Sequence, residues 1–324
     1  MSFAQKLIAW HRRDGRRGLP WQGTRDPYRI WLSEVMLQQT QVASVIPYYG
    51  RFLARFPDVR ALAAAGEDEV LALWSGLGYY ARGRNLHRAA QKIAREGRLP
   101  RDAAHLEALP GVGRSTAAAI AAFAFGERAA ILDGNVRRVL ARCFGVEGEK
   151  AQWRLAERLL PRRAIEAYTQ GLMDLGATVC TRTNPACARC PLERDCVALR
   201  EGRIDELPRS RARAKRKVRR ATWFVIVHRG EVLLERRPSA GLWGGLWVFP
   251  ESAPAGKISA QKRLPPFEHG FTHFTLKVQP IRCEVARVRS RARTPGRRWL
   301  PIEDAIAAAV PAPVKALLSG LRGD

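Results

Sequence analysis

Four of the chain's six cysteines, Cys180, Cys187, Cys190 and Cys196, fall within 17 residues. The spacing C-x6-C-x2-C-x5-C obliges a short segment to fold back on itself, because thiolates at this density are soft ligands that gather round one centre. Cys143 and Cys283 stand apart, a distribution unlike the disulfide framework of a small secreted scaffold. The segment reads as a metal site kept in a reducing compartment. Four thiolates suit zinc as well as an iron–sulfur cluster, and ligand type alone leaves both open.

Lys and Arg total 56 against 30 Asp and Glu, a formal net charge of +26 on 324 residues. An excess of this size is the electrostatic footprint of a polyanion binder, with nucleic acid the favoured partner, although a genomic bias toward arginine codons would also add basic residues. No apolar run approaches the ~20 residues of a membrane span. Residues 1–22 lack the apolar stretch and small-residue cleavage site of a secretory leader. The expectation is a soluble, non-secreted monomer, cytoplasmic and associated with the nucleoid, with no membrane partner.

The length suggests two compact units. From Phe3 to about Leu199 the chain reads as successive helices separated by breaks such as Arg98-Leu99-Pro100. Asp26-Pro27 supplies an N-cap and a proline at the first helical position. The helix that follows is expected to run through Gln38-Gln39, with Glu34 and Gln38 on one face. Between Arg203 and Arg220 the hydrophobic pattern fails, and residues 209–217 are too charged to pack as core, so this stretch reads as a basic linker, solvated or touching phosphate. Thereafter the period changes. Residues 222–227 and 232–236 read as a hairpin, 271–278 and 281–288 as further strands, and 302–310 and 314–321 as two closing helices. The expected fold class is multidomain, with an all-α domain over 1–202, a linker over 203–220 and an α+β domain over 221–324.

Two segments of the helical half carry further chemistry. Leu109-Pro110-Gly111-Val112-Gly113 lies between helical stretches and forms a candidate helix-hairpin-helix over about 102–125. Glycines here allow close backbone approach and unusual torsions, so amides at the start of the next helix can face a DNA phosphate. Such a contact positions the protein and reads no sequence. A lone G-x-G would be a simple helix turn; the full string with both flanking helices favours the hairpin. Asp133, in Leu132-Asp133-Gly134-Asn135-Val136, stands at a helix start, where by itself it reads as an N-cap.

The cysteine spacing is similar to the four-iron, four-sulfur loop of the endonuclease III superfamily of DNA glycosylases, and LDGNV resembles that superfamily's segment bearing an essential Asp. The strings WLSEVMLQQTQ (31–41), GLGYYAR (76–82) and GLMDLGA (171–177) narrow the resemblance to adenine DNA glycosylases of the MutY type. It runs along nearly the whole chain and is best between Leu19 and Cys196. The resemblance implies a 4Fe-4S cluster on the four cysteines, shaping a basic DNA-binding loop with Arg182, Arg189 and Arg194 and taking no part in bond cleavage. It implies Glu34 as the acid that protonates adenine at N7, Asp133 as an ionised group that stabilises or transiently bonds the sugar's anomeric carbon, and Asn135 as the residue orienting water or Asp133. Two carboxylates of opposed proton affinity meet the needs of N-glycosidic hydrolysis through an oxocarbenium-like state. Adenine must also leave the duplex, and the resemblance assigns Gln38, Gln39 and Tyr79 to a wedge that fills the stack. The related bifunctional lyases carry a Lys where this chain has Ser115; a serine forms no Schiff base, so base removal without strong strand cleavage is expected.

In the C-terminal half, GLWGGLWVFP (241–250) resembles the Nudix fold of MutT, yet no carboxylate follows Glu251 until Glu268. The R-E-x-x-E-E cluster that holds Mg²⁺ in Nudix enzymes is missing, and pyrophosphatase chemistry with it. The resemblance implies a recognition module instead, reading 8-oxoguanine opposite adenine through Phe271-Thr272-His273, where the family has Phe-Ser-His. Thr keeps the hydroxyl and adds a methyl. The expected partner is duplex DNA holding A:8-oxoguanine or A:G. Three alternatives are weaker. An endonuclease III-like lyase for oxidised pyrimidines is disfavoured by Ser115 and the appended domain, a DNA-binding redox sensor leaves Glu34 and Asp133 unexplained, and a nucleotide-pool hydrolase lacks its carboxylates.

Overall fold

In the computed structural model, which describes residues 1–209, 216–253, 258–286 and 296–323, the first helices start where the sequence marks them. α1 (Phe3–Asp14) opens on a capping box in which Ser2 Oγ accepts from Gln5 N and Gln5 Oε1 accepts from Ser2 N. α2 (Pro27–Leu37) starts at the expected cap, Asp26 Oδ1 accepting from Tyr28 N at 2.9 Å. It stops sooner than expected: Gln38 is already the cap residue and Gln39 turns left-handed at φ 56. The chain continues through α3 (Val42–Arg55), α4 (Val59–Ala64), α5 (Glu67–Trp74), α6 (Ala81–Glu96), α7 (Ala103–Glu107), α8 (Arg114–Phe125), α9 (Gly134–Phe144), α10 (Glu149–Arg158), α11 (Ile165–Thr178) and, beyond the cysteine loop, α12 (Val197–Arg200).

Packing divides the chain into two units. The first, Met1–Ala63 with Arg88–Ala212, is helical. Its core gathers Leu7 and Trp10 of α1, Val139 and Leu140 of α9, and Leu172 and Leu175 of α11 around α8, whose Ala118, Ala119 and Ala122 are small enough to admit them. α9 and α11 meet across Gly176, where a Cβ would fall 2.6 Å from that of Asn135.

The second unit, Ala64–His87 with Arg213–Asp324, combines helix and sheet. Its strands are β1 (Lys217–His228), β2 (Glu231–Arg236), β3 (Trp247–Val248), β4 (Ile258–Arg263), β5 (Phe267–Gly270), β6 (Phe274–Val285) and β7 (Arg297–Pro301). They form one mixed sheet in the order β3-β2-β1-β6-β4, with β5 also on β6 and β7 also on β2. The β1–β2 hairpin is the expected one, β1 and β6 run parallel, and α13 (Ile302–Ala307) and α14 (Ala312–Gly320) follow the sheet.

Three expectations change here. The basic stretch is a linker for less of its length: Leu207 is buried in the helical unit, and β1 begins at Lys217, where exposed Lys217, Val218, Arg219 and Arg220 pair their backbones with residues 274–277. Three of these four side chains are basic and all four are exposed, so the sequence carries little strand signal there, although the Arg219 guanidinium lies 4.5 Å from the Phe274 ring; residues 210–215 lie outside the described residues. The two strands expected over 271–278 and 281–288 are one, β6, which runs through Pro280. Proline is tolerated because β5 pairs β6 up to Val278 and β4 takes over at Ile281, so the missing donor falls at the seam between the two partners. Residues 287 and 288 of that expected strand lie outside the described residues. Finally, residues 64–87 group with the C-terminal unit although the sequence places them in the helical half. Among the described residues, no helix is long and apolar enough to cross a membrane.

Candidate active site

α2, α8, α9 and α11 border an open cleft of about 1430 Å³ in the first unit, and Glu34, Gln38, Gln39, Ser115, Asp133 and Asn135 all line it. Six residues singled out in separate segments of the sequence thus meet at one surface. Burial first, and then the neighbouring Asp133 carboxylate, push the Glu34 carboxyl up to about 8, so it holds a proton at neutral pH. Asp133 caps α9, Oδ1 accepting from Val136 N at 2.8 Å, which makes the plain N-cap reading correct and compatible with a place in the cleft. Burial raises Asp133 as well, against the backbone N–H groups of Val136 and Asn135 and the Arg138 and Arg137 guanidiniums, which pull the other way. The expected charge on Asp133 therefore rests on those donors. No cation is among the groups acting on Glu34, whereas the Arg138 and Arg137 guanidiniums oppose the rise at Asp133.

The supporting residues are fixed by side-chain to backbone bonds. Ser115 Oγ accepts from Leu132 N at 2.9 Å, tying the start of α8 to the segment that delivers Asp133. Arg138 donates to Asn135 Oδ1 at 2.8 Å, to Gly176 O at 2.6 Å and to Cys180 O at 2.7 Å, joining the start of α9 to the first cysteine. Sequence reasoning misses Arg138, which looks like any basic residue on a solvated helix face. A further cavity of about 350 Å³ shares Glu34 with the cleft and is lined also by His11, Arg16, Trp21 and Gln170. Behind it Asp174, fully buried, accepts from Arg16 Nε at 2.7 Å and from Gln170 Nε2 at 2.9 Å. These residues also escape sequence reasoning; their one signal is that Gln170 and Asp174 lie in or beside GLMDLGA.

In the hairpin, Leu109 is buried, Gly111 is left-handed at φ 78, and Gly113 has an extended backbone at φ −91 as the N-cap of α8. Only the first of the two glycines needs the torsional freedom expected of both. Gly113 serves by having no side chain, leaving the first-turn amides of α8 without a side-chain cap. Gln38 Nε2 donates to Gly111 O at 3.3 Å and Thr116 Oγ1 at 3.2 Å, so it ties the end of α2 to the hairpin, while Gln39 is exposed.

Cys180, Cys187, Cys190 and Cys196 line one small cavity together with Val139, Leu175 and Arg142, and none forms a disulfide. Arg142, 3% exposed, donates to Thr181 O at 2.6 Å, Arg182 O at 3.1 Å, Ile204 O at 3.2 Å and Leu207 O at 2.8 Å, and sits 3.6 Å from Cys180 Sγ. It joins the cysteine loop to the chain that follows α12. Among the described residues, no three His, Cys, Asp or Glu side chains converge as a single bound ion requires.

Tyr79, Thr272 and His273 belong to the second unit. Tyr79 is 50% exposed and left-handed at φ 48. Thr272 and His273 are exposed at a turn closed by Phe271 N donating to Phe274 O at 2.8 Å. The flanking Phe271 and Phe274 rings stack at 4.6 Å, and Trp243 packs on Phe271 at 5.4 Å, which gives the turn a rigid aromatic footing.

A hairpin that leaves a helix start uncapped, beside two partly buried carboxyls that desolvation raises, is an arrangement that fits a helix-hairpin-helix glycosylase of DNA repair. The family model for HhH-GPD superfamily base excision DNA repair proteins matches residues 32–162, and that of the NUDIX domain matches 222–320. The chain is 33% identical to the adenine DNA glycosylase of Buchnera aphidicola subsp. Baizongia pistaciae, over 99% of this chain and 97% of that one. It is 31% identical to the adenine DNA glycosylase of Homo sapiens, over 99% and 74% respectively. A solved thermostable thymine-DNA glycosylase matches with TM-score 0.58 at 31% identity, over 61% of this chain and 95% of that one. The chain belongs to the adenine DNA glycosylase family, base-excision repair hydrolases that act on N-glycosyl bonds. The expected pairing of a helical glycosylase domain with a Nudix domain is borne out.

Proposed function

We propose that the cleft hydrolyses the N-glycosidic bond of adenine paired with 8-oxoguanine or guanine in duplex DNA and forms no lyase intermediate. The observation that carries this reading is the Glu34 carboxyl, pushed up to about 8 beside Asp133. A flipped adenine enters the cavity bounded by Glu34, Arg16, Trp21 and Gln170, having left the stack because its glycosidic bond is unreachable inside it. Glu34 delivers its proton to N7, so the base departs neutral. Asp133 holds negative charge at the sugar as positive charge develops there. Asn135, whose oxygen already accepts from Arg138, has its amide N–H groups left to orient Asp133 or the attacking water. Ser115 lacks the amine of a Schiff-base lyase. The uncapped start of α8 takes a phosphate, Gln39 and Tyr79 enter the stack, and Thr272 and His273 read the base opposite adenine.

Four cysteines around one cavity, without disulfides, suit a soft-ligand centre, and on the family resemblance of their spacing we assign them a 4Fe-4S cluster. When bound, the cluster supplies a cationic core that neutralises four thiolates and rigidifies the loop carrying Arg182, Arg189 and Arg194. The protein acts as a monomer in the cytoplasm, on nucleoid DNA.

Single-turnover base release on three duplexes tests the reading: adenine opposite 8-oxoguanine, adenine opposite guanine, and an oxidised pyrimidine. Adenine release from the first two, with the strand left intact until alkali is added, is expected. Release of the oxidised pyrimidine alone would restore the lyase alternative.

A further inference from the structure

Tyr79 holds a conformation that a tyrosine does not adopt unaided. A left-handed backbone costs a non-glycine residue about 1–3 kcal/mol and persists where the surroundings over-determine it. Inside the loop, Trp74 Nε1 donates to Gly78 O at 3.1 Å, Arg82 Nη2 donates to Gly78 O at 3.3 Å, and the Arg82 guanidinium lies 5.3 Å from the Tyr79 ring. The outer anchors come from the far end of the sequence. Ser75, 7% exposed, donates its hydroxyl to Val310 O at 2.6 Å, and the Tyr80 hydroxyl lies 3.5 Å from the same oxygen. One carbonyl, between α13 and α14, thus grips the residues immediately before and after 76–79. Two more contacts fix the flanking helices to the sheet side of the unit: Arg236 of β2 donates to Asp68 Oδ1 at 2.8 Å, and Arg84 of α6 donates to Gly244 O.

We infer that the C-terminal segment of the chain is the positioning element for Tyr79, with Ser75 the positioning residue that transmits the Val310 anchor to the loop. The inference rests on the proposed wedge role of Tyr79. The C-terminal segment then has a double task at the DNA: reading a base through Thr272 and His273, and aiming a side chain that the N-terminal half of the sequence encodes. Ser75 touches no DNA in this scheme and acts through Tyr79.

The test uses full-length protein and a duplex carrying 2-aminopurine beside the base opposite adenine, since a wedge unstacks that neighbour and raises its fluorescence. Wild-type protein should give the rise, and Tyr79→Ala should abolish it. Ser75→Ala should lower it at least threefold, Ser75→Thr, which keeps the hydroxyl, should restore it, and Ser75→Ala added to Tyr79→Ala should change nothing more. Arg236→Ala, which removes the β2 contact to Asp68 at the start of α5, should move the signal the same way as Ser75→Ala. Duplex affinity separates aim from unfolding: Ser75→Ala should leave it unchanged while lowering the signal, whereas a purely structural loss would weaken it as well and refute the positioning role. If Tyr79→Ala lowers the signal and neither Ser75→Ala nor Arg236→Ala does, the positioning role is refuted while the wedge stands. If Tyr79→Ala itself leaves the signal intact, the wedge reading falls and takes the positioning role with it.

Discussion

A free glutamate ionises near 4.5, whereas Glu34 in the fold does so at about 8. Across that interval the unfolded chain binds fewer protons than the folded one, so this group's contribution to stability is full below about 4.5 and falls as pH rises towards about 8. At pH 7 the loss is about 3 kcal/mol, a large share of a typical domain's margin. Glu34→Gln, always neutral, should therefore raise the melting temperature at pH 8 and leave it nearly unchanged at pH 5. The same substitution should nearly abolish base release, because an amide has no acidic proton to give. In the wild type, single-turnover release should decline as pH passes through about 8. A melting curve insensitive to the substitution at both pH values would show that the carboxyl is not held neutral by its surroundings. Little of this is legible in the sequence by itself. Glu34 in isolation looks like a solvated helix glutamate, and only the string around it suggests an acid. Asp174, Arg16 and Gln170 are invisible there because a charge in a sequence looks solvated until its partner is known, and here 158 residues separate Arg16 from Asp174.

At the scale of elements, α9 and α11 bring the proposed catalytic segment and the cysteine loop together, and Gly176 sets how closely they meet. Alanine would ordinarily favour a helix over glycine by about 0.5–1 kcal/mol. Here its Cβ would lie 2.6 Å from Asn135 Cβ and 3.0 Å from Asn135 O, and overpacking of this kind costs about 1–3 kcal/mol. The clash outweighs the propensity. Gly176→Ala should lower the urea midpoint and, by shifting Asn135 and the α9 cap at Asp133, slow base release at least tenfold. An unchanged midpoint together with an unchanged rate would mean that α11 gives way without disturbing α9. Starts of elements are the most legible features of the fold: Asp26-Pro27 marks α2, and the break at residues 229–230 marks the β1–β2 turn. Ends are less so. The helical pattern carries α2 on through Gln38 and Gln39, and the reason for its earlier end, the bond from Gln38 to Gly111, depends on a hairpin more than 70 residues away. Pro280 splits β6 in the sequence reading because a missing donor is visible there but the change of partner beside it is not.

At the scale of the molecule, the expected boundary is crossed twice: residues 204–209 serve the helical unit, and residues 64–87 make an excursion into the C-terminal one. Cutting at Arg203, the point the composition suggests, would strip Arg142 of its bonds to Ile204 O and Leu207 O, and buried donors left without partners cost about 1–3 kcal/mol. A chain ending at Arg209 keeps them. It should melt higher than the shorter fragment, still release adenine opposite guanine, and lose most of the preference for 8-oxoguanine. That preference is on the order of 5- to 150-fold if one base contact contributes about 1–3 kcal/mol. Equal melting temperatures for the two fragments would show that Arg142 finds other partners. The division into a helical half and an α+β half can be read from the change in periodicity near residue 220. The excursion cannot, because Trp74, Ser75 and Tyr80 carry no mark of which core they will join. The same excursion bears on how the protein is made. Leaving the ribosome N-terminus first, residues 64–87 emerge about 130 residues before β1 begins at Lys217 and more than 200 before Val310. At roughly 5–20 residues per second of synthesis, the Ser75 and Tyr80 hydroxyls wait on the order of ten seconds or more for the Val310 carbonyl. A nascent chain of this protein is thus committed to a wait during translation, its loop at 76–79 lacking the Val310 anchor until the last helices arrive.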